Sequence, residues 1–302
     1  MALVATAKQF RASQCRVRTF SISLDSSAIR GVERIDQITP VADQWPQVGT
    51  LSARTGDIPV FSLAGLLGLP EADTDGSQLL LLDTPNGPIG VQVNHSSQGS
   101  VVAPADFVRM PAVVRSPNFS GVVRTENALL PWLDLDSIFT GQPRDVPAAL
   151  AWRHQVSATA KNRLMVIPLT GSPGERAWTV GLPAAAVAEL VEANSVIAVP
   201  GTPKFVAGVM SWQNRVIGVM DLFAWLGLQP LETAKSLIAV VASPGSPEPI
   251  GLLVPRGVRL LKLPIPNQAS ERTFPGDAER IVMPVEVGDQ TIALVDLAHL
   301  LK

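Results

Sequence analysis

Apolar positions along this chain come in short runs rich in Val, Ile and Leu: Leu79–Asp83, Ile89–Val93, Leu164–Leu169, Ala177–Leu182, Leu237–Ala242 and Ile250–Val254. Runs of this length and composition predict β-strands. Glycine and proline separate them, as in Pro85-Asn-Gly-Pro88, Gly171-Ser-Pro-Gly174 and Pro244-Gly-Ser-Pro-Glu-Pro249, which predicts hairpin-like connections. The 26 prolines and 23 glycines are spread along the whole chain and leave little room for long helices, so the expected fold class is mainly β, built as barrels or sandwiches.

One ten-residue phrase occurs four times. It reads Ile58-Pro-Val-Phe-Ser62-Leu63-Ala-Gly-Leu-Leu67, then Leu130-Pro-Trp-Leu-Asp134-Leu135-Asp-Ser-Ile-Phe139. It returns as Ile217-Gly-Val-Met-Asp221-Leu222-Phe-Ala-Trp-Leu226 and as Ile292-Ala-Leu-Val-Asp296-Leu297-Ala-His-Leu-Leu301. Asp221 follows Ser62 by 159 residues and Asp296 follows Asp134 by 162, so the chain is a tandem duplication whose copies each contain two related halves. The front of the phrase is apolar and extended. The Asp or Ser that follows is suited to cap a turn by accepting from exposed amides, and the later apolar pairs, such as Leu66-Leu67 and Trp225-Leu226, would fold back onto a barrel mouth. Between the copies lies a stretch containing proline, alanine and arginine. The expected organisation is a first domain over 1–145, a linker over 146–160 and a second domain over 161–302.

With 46% apolar and 17% charged residues the chain can build two cores, which argues against disorder. A formal net charge of −2 gives no general attraction to nucleic acid or to an anionic membrane surface. The apolar start of Met1-Ala-Leu-Val-Ala-Thr-Ala-Lys8 is too short for a signal peptide, and Cys15 is alone and lacks a lipoprotein context. No run approaches the length of about 20 residues that spans a bilayer. The expectation is a cytoplasmic protein without direct membrane insertion.

Reactive constellations are missing from the sequence. His95, His154 and His299 have no metal-ligand partners at usable spacing, and one cysteine gives a zinc or iron–sulfur site little to build on. No Gly-x-Ser-x-Gly elbow, phosphate-cradling Gly-x-x-x-x-Gly-Lys-Ser/Thr or Gly-x-Gly-x-x-Gly turn occurs. Asp134 and Asp136 read as the cap of a strand end rather than as a catalytic pair. The expectation is no enzymatic activity, no cofactor and no metal, and two similar β units without such chemistry point to binding or scaffolding.

The stretch Val187-Ala-Glu-Leu190, followed by Val196-Ile-Ala-Val-Pro-Gly-Thr-Pro203-Lys-Phe205-Val-Ala-Gly208-Val-Met, then Ile217-Gly-Val-Met-Asp221-Leu222 and Leu226-Gly227, resembles the CheW family of bacterial chemosensory adaptors. Looser similarity continues through Ile250-Gly-Leu-Leu-Val254 to Ala293-Leu-Val-Asp-Leu297. The first copy resembles the same family through Gly49, Arg54, Ile58-Pro-Val60, Leu63, Leu67-Gly-Leu-Pro70, Ile89-Gly90 and Leu133-Asp-Leu135. The family's arginine before the phrase strand is matched by Arg54. Gln213-Asn214 stand there in the second copy, so the guanidinium donors are gone. Conversely, Ser62 replaces the family's usual Asp in the first copy.

The resemblance implies two tandem domains, each a pair of SH3-like five-stranded barrels, in agreement with two halves per copy. It also implies a non-enzymatic scaffold that binds the regulatory domain of a CheA-type histidine kinase and the cytoplasmic tip of chemoreceptors. Partner contacts carried over from it are Arg54, Val187, Val196, Val199, Phe205 and Val206, with Trp212 and Gln213 beside them. Two linked modules would raise the effective concentration of the second contact. Alternative readings are a β-barrel module for nucleic acid or carbohydrate, a hydrolase assembled from distant carboxylates, and a CheW-like structural protein that has lost kinase coupling. Single-stranded nucleic acid would call for a basic groove with exposed aromatics, against a slightly acidic chain with no tyrosine.

Overall fold

The computed structural model describes residues 10–42, 44–53, 56–70, 78–97, 99–114, 116–140, 163–169, 178–242, 248–262, 268–270, 272–287 and 290–300. Arg54 and the predicted linker 146–160 lie outside them. Two compact units emerge, one of Met1–Met110, Arg115–Ala149 and Ala198–Thr202, the other of Pro111–Val114, Leu150–Ile197 and Pro203–Lys302.

The first unit runs β1 (Phe10–Val17), β2 (Phe20–Asp25), β3 (Ile29–Arg34), β4 (Ile38–Pro40), β5 (Gln47–Ala53), β6 (Gly56–Ser62) and α1 (Leu63–Leu66). It continues with β7 (Gln78–Thr84), β8 (Gly87–Val93), β9 (His95–Ser96), β10 (Ser100–Val102), β11 (Phe107–Arg109), β12 (Phe119–Arg124), β13 (Leu129–Leu133) and α2 (Leu135–Thr140). The second unit repeats the plan with β14 (Arg163–Pro168), β15 (Trp178–Pro183), β16 (Val187–Glu192), β17 (Val206–Trp212), β18 (Arg215–Asp221) and α3 (Leu222–Trp225). Its remaining strands are β19 (Ser236–Ala242), β20 (Pro249–Pro255), β21 (Arg259–Lys262), β22 (Gln268–Ala269), β23 (Ile281–Val287) and β24 (Gln290–Val295). The six predicted apolar runs all fall on strands.

Each domain contains two sheets, and each sheet is an SH3-like barrel of five strands with a short sixth segment, to which β9 adds a further pair with β1 in the first. The orders are β10-β1-β2-β13-β12-β11 and β3-β7-β8-β6-β5-β4 in the first domain. In the second they are β21-β14-β15-β24-β23-β22 and β16-β19-β20-β18-β17, where an isolated bridge from Ile197 to Val209 stands in for the sixth strand. The sequence halves do not map one to one onto the barrels. Each barrel takes its leading hairpin from one half and its last three main strands from the other, so β1 and β2 join β10, β12 and β13 while β7 and β8 join β3, β5 and β6.

The recurring phrase makes the joint. Its strand is always the one that pairs in parallel with the hairpin of the other half: β6 with β8, β13 with β2, β18 with β20 and β24 with β15. At the end of that strand the backbone N–H of Ser62, Asp134, Asp221 or Asp296 donates to the carbonyl of Pro46, Asn118, Phe205 or Arg280, at 2.8–3.1 Å. That carbonyl lies at or just before the bulge in the preceding strand, which recurs at the same place in all four barrels. The side chain of the same residue then caps the following turn, as the sequence predicts. Asp221 accepts from Phe223 N (2.9 Å) and Ala224 N (3.1 Å) and also from Leu231 N (2.7 Å). Asp134 accepts from Ser137 N and Asp296 from Ala298 N, both at 3.0 Å. Ser62 reaches Gly65 N only at 3.4 Å.

Continuous apolar runs are explained by burial on both faces. In the second domain Leu164 and Val166 point into one barrel and Ile238 and Val240 into the other. Their neighbours Met165, Ile167, Ala239 and Val241 meet in a larger core between the two barrels, together with Met220, Trp225 and Leu226 from the phrase. A strand covered on both sides has no polar face to alternate, so its sequence reads as an unbroken apolar run.

Cys15 on β1 is fully buried, and loss of solvation for the thiolate pushes its thiol from 9.0 up to about 12. Two outcomes follow from these contacts. Asp221→Ala leaves three amides without their acceptor and should cost the second domain about 2 kcal/mol, against less than about 1 kcal/mol for Ser62→Ala in the first; urea titration of the full chain measures both, and equal losses would contradict the capping assignment. Cys15 should stay unreactive toward a chromogenic disulfide reagent at pH 8 until denaturant is added. Because its folded-state pKa is raised, the stability it contributes is complete below pH 9 and is lost as pH climbs through 12, a slope that Cys15→Ala removes.

Candidate functional site

The described residues singled out in the sequence, Val199 apart, occupy different layers of the second domain. Trp212 belongs to the core of one barrel and donates from Nε1 to Glu189 Oε2 at 2.8 Å. Val206 is buried as well, and Val199 is buried in a stretch that belongs to the first unit. These three offer no side-chain surface, because strand alternation and packing turn them inward. Phe205 and Val187 are half-buried against the inter-barrel core, and Val196 is half-buried against the core that holds Trp212. Gln213 is exposed at the tip of the β17–β18 hairpin with φ 45°, and its side-chain amide donates to Glu189 Oε2 at 3.4 Å. Gln213 follows Trp212, which pairs with Arg215, and its counterpart by resemblance, Arg54, lies outside the described residues.

Val187 lines a concave surface. A groove of about 310 Å3 runs along the rim of the inter-barrel core, bounded by Met165, Ala184, Val187, Leu190, Val258 and Leu260, with Arg163 and Arg259 beside them. Its walls are the edge strands of the two barrels. On β16 a bulge between Val187 and Glu189 resets the alternation, so that Leu190 comes opposite Ala239 and remains 42% exposed. On β21 Leu260 comes opposite Met165 and is 59% exposed, while its neighbour Leu261 packs toward the barrel interior. Two large exposed aliphatic side chains facing one apolar hollow are a surface suited to burial by a partner.

The arginines give the groove a cationic rim. Arg163 is exposed at the start of β14, and the Arg259 guanidinium is hydrogen-bonded to the Gln290 side chain. At the far end of β16, Arg256 is paired with Glu192. An apolar floor beside arginines suits an amphipathic helix whose apolar stripe is flanked by carboxylates. Sequence reasoning missed Leu260, Val258 and Arg259. The pair Leu260-Leu261 carries no local sign of which leucine turns outward, since register against β14 decides it. Among the described residues no three His, Cys, Asp or Glu side chains come together to hold a metal ion, and no helix of the structure is long and apolar enough to cross a membrane.

The family model described as CheW-like domain matches twice, over residues 14–143 and 173–302. No curated protein matches the chain. Among solved structures, the scaffolding protein TtCheW from Thermoanaerobacter tengcongensis is 15% identical, with a TM-score of 0.41, over 46% of this chain and 100% of that one.

Proposed function

The chain belongs to the CheW-like domain family, and on that premise we propose that it is a non-enzymatic adaptor coupling chemoreceptors to a CheA-type histidine kinase in a bacterial chemosensory pathway. The observation that carries this reading is the apolar, arginine-flanked groove of the second domain, whose shape and charge suit the helical cytoplasmic tip of a receptor. Val187 lies in that groove, and Leu190 and Leu260 are its exposed anchors.

The regulatory domain of the kinase would dock elsewhere, at the hairpin tips and the surface around Phe205 and Val196. Arg54 in the first domain is the contact of greatest weight there. Gln213 is its counterpart in the second domain and lacks its charge. Val199, Val206 and Trp212 would act from beneath, by holding the shape of the surface. The domains are taken as 1–145 and 161–302, with 146–160 connecting them, and the protein would work in the cytoplasm against membrane-bound receptor arrays. A scaffold needs no reacting groups, which accords with a chain whose buried carboxylates Asp134 and Asp221 are engaged as caps.

Calorimetric titration of the full chain with the regulatory domain of a CheA-type kinase tests the coupling. Saturable binding is expected, weakened about tenfold by Arg54→Ala, the size of effect seen when a charged interface anchor is truncated. Absence of binding by the wild-type chain would refute kinase coupling and leave the fold assignment standing.

A further inference from the structure

The two domains share a plan residue by residue, which allows their grooves to be compared position by position. Asp25 and Pro183 each directly precede the 3-10 turn that leads into the edge strand, Ser26–Ala28 in one domain and Ala184–Ala186 in the other. Ala12 pairs with Asp25 as Leu164 pairs with Pro183, so Ser13 corresponds to Met165 and Ser26 to Ala184. Bulges at Ile29/Gly31 and Val187/Glu189 make Val32 the counterpart of Leu190. Ser100 pairs with Ala12 as Leu261 pairs with Leu164, which makes Gly99 the counterpart of Leu260.

One wall is alike; the other wall and the floor are not. Val32 is 53% exposed, as an aliphatic groove wall would be. Where the second domain has Met165, Ala184 and Leu260, the first has Ser13, Ser26 and Gly99. The two serine hydroxyls hydrogen-bond to each other at 2.9 Å. The backbone of Gly99 lies so close over them that a Cβ there would stand 2.1 Å from Ser26 Oγ and 3.3 Å from Ser13 Oγ. No side chain in the place of Leu260 would fit without moving that pair.

We propose that the chain captures one amphipathic helix only, in the groove of the second domain, and that the first domain has lost this site through the Ser13–Ser26–Gly99 closure. The proposal rests on the receptor-tip reading given above and adds its valency. An apolar helix stripe gains its affinity from aliphatic contact area, and the first domain has replaced three aliphatic side chains of the floor and one wall by two hydroxyls and a bare backbone. Of the two rim arginines, Arg163 has a counterpart in Arg11, whereas Gln98 precedes Gly99 as Arg259 precedes Leu260, so the first domain also lacks one of the two charges. The apolar lining, together with this charge, sets the number of helices bound.

Calorimetry of the full chain with a synthetic helical hairpin copying the cytoplasmic tip of a chemoreceptor from the same genome tests it. The expected result is one hairpin per chain, affinity lowered at least tenfold by Leu190→Glu or by Leu260→Ser, and affinity within twofold of wild type for Val32→Glu. All three positions are exposed, and circular dichroism confirms that each variant folds. Two equivalent sites per chain, or a tenfold loss from Val32→Glu, would overturn the single-site proposal while leaving the receptor reading intact. No binding of the hairpin by the wild-type chain would overturn both.

Discussion

The structure depends on one pairing, the parallel contact between each phrase strand and a hairpin that comes from the other half of its domain. Neither half contains the strands of a complete barrel, so a barrel closes only when both halves are present. In each barrel one main-chain bond from the cap residue to the carbonyl at the preceding bulge holds the end of that strand, and the same residue then terminates it with its side chain. Conserving a strand, a bulge and a cap as a unit is what makes the phrase legible four times, since losing any one part would leave buried backbone groups without partners.

Exchange between halves also creates the groove. The strand that follows each leading hairpin crosses to the edge of the other barrel, and the two crossing strands run along the rim of the shared core. In the second domain these are β16 and β21, which bring Leu190 and Leu260 to the same hollow although 70 residues separate them in the chain. In the first domain the equivalent strands are β3 and β10, and a serine pair under a glycine takes the place of the apolar floor. The scaffold is thus indifferent to what fills the rim, and the two copies have diverged there without disturbing the pairing beneath.

Burial sorts the sequence-derived contact residues by a rule that composition does not contain. Trp212 and Phe205 are both large, aromatic and close to the hairpin or bulge of one strand pair. Yet Trp212 fills a barrel and ties its indole N–H to Glu189, whereas Phe205 lies half-buried beside the inter-barrel core. Val199 and Val206 are likewise turned inward. An aromatic or aliphatic side chain has the same transfer energy in a core as in an interface, so residue type alone does not separate the two.

The sequence by itself determined the mainly β class, the duplication, six of the apolar strands, and the capping role of Ser62, Asp134, Asp221 and Asp296. Those features are local: they rest on runs of apolar residues, on turn chemistry and on a cap placed next to the amides it serves. Tertiary structure alone decided which half supplies each strand of a barrel, which of Leu260 and Leu261 faces outward, and that Ser13, Ser26 and Gly99 occupy the places of Met165, Ala184 and Leu260. Each of these depends on register between strands distant in the chain, and a shift of one residue in a β-pair exchanges the buried face for the exposed one.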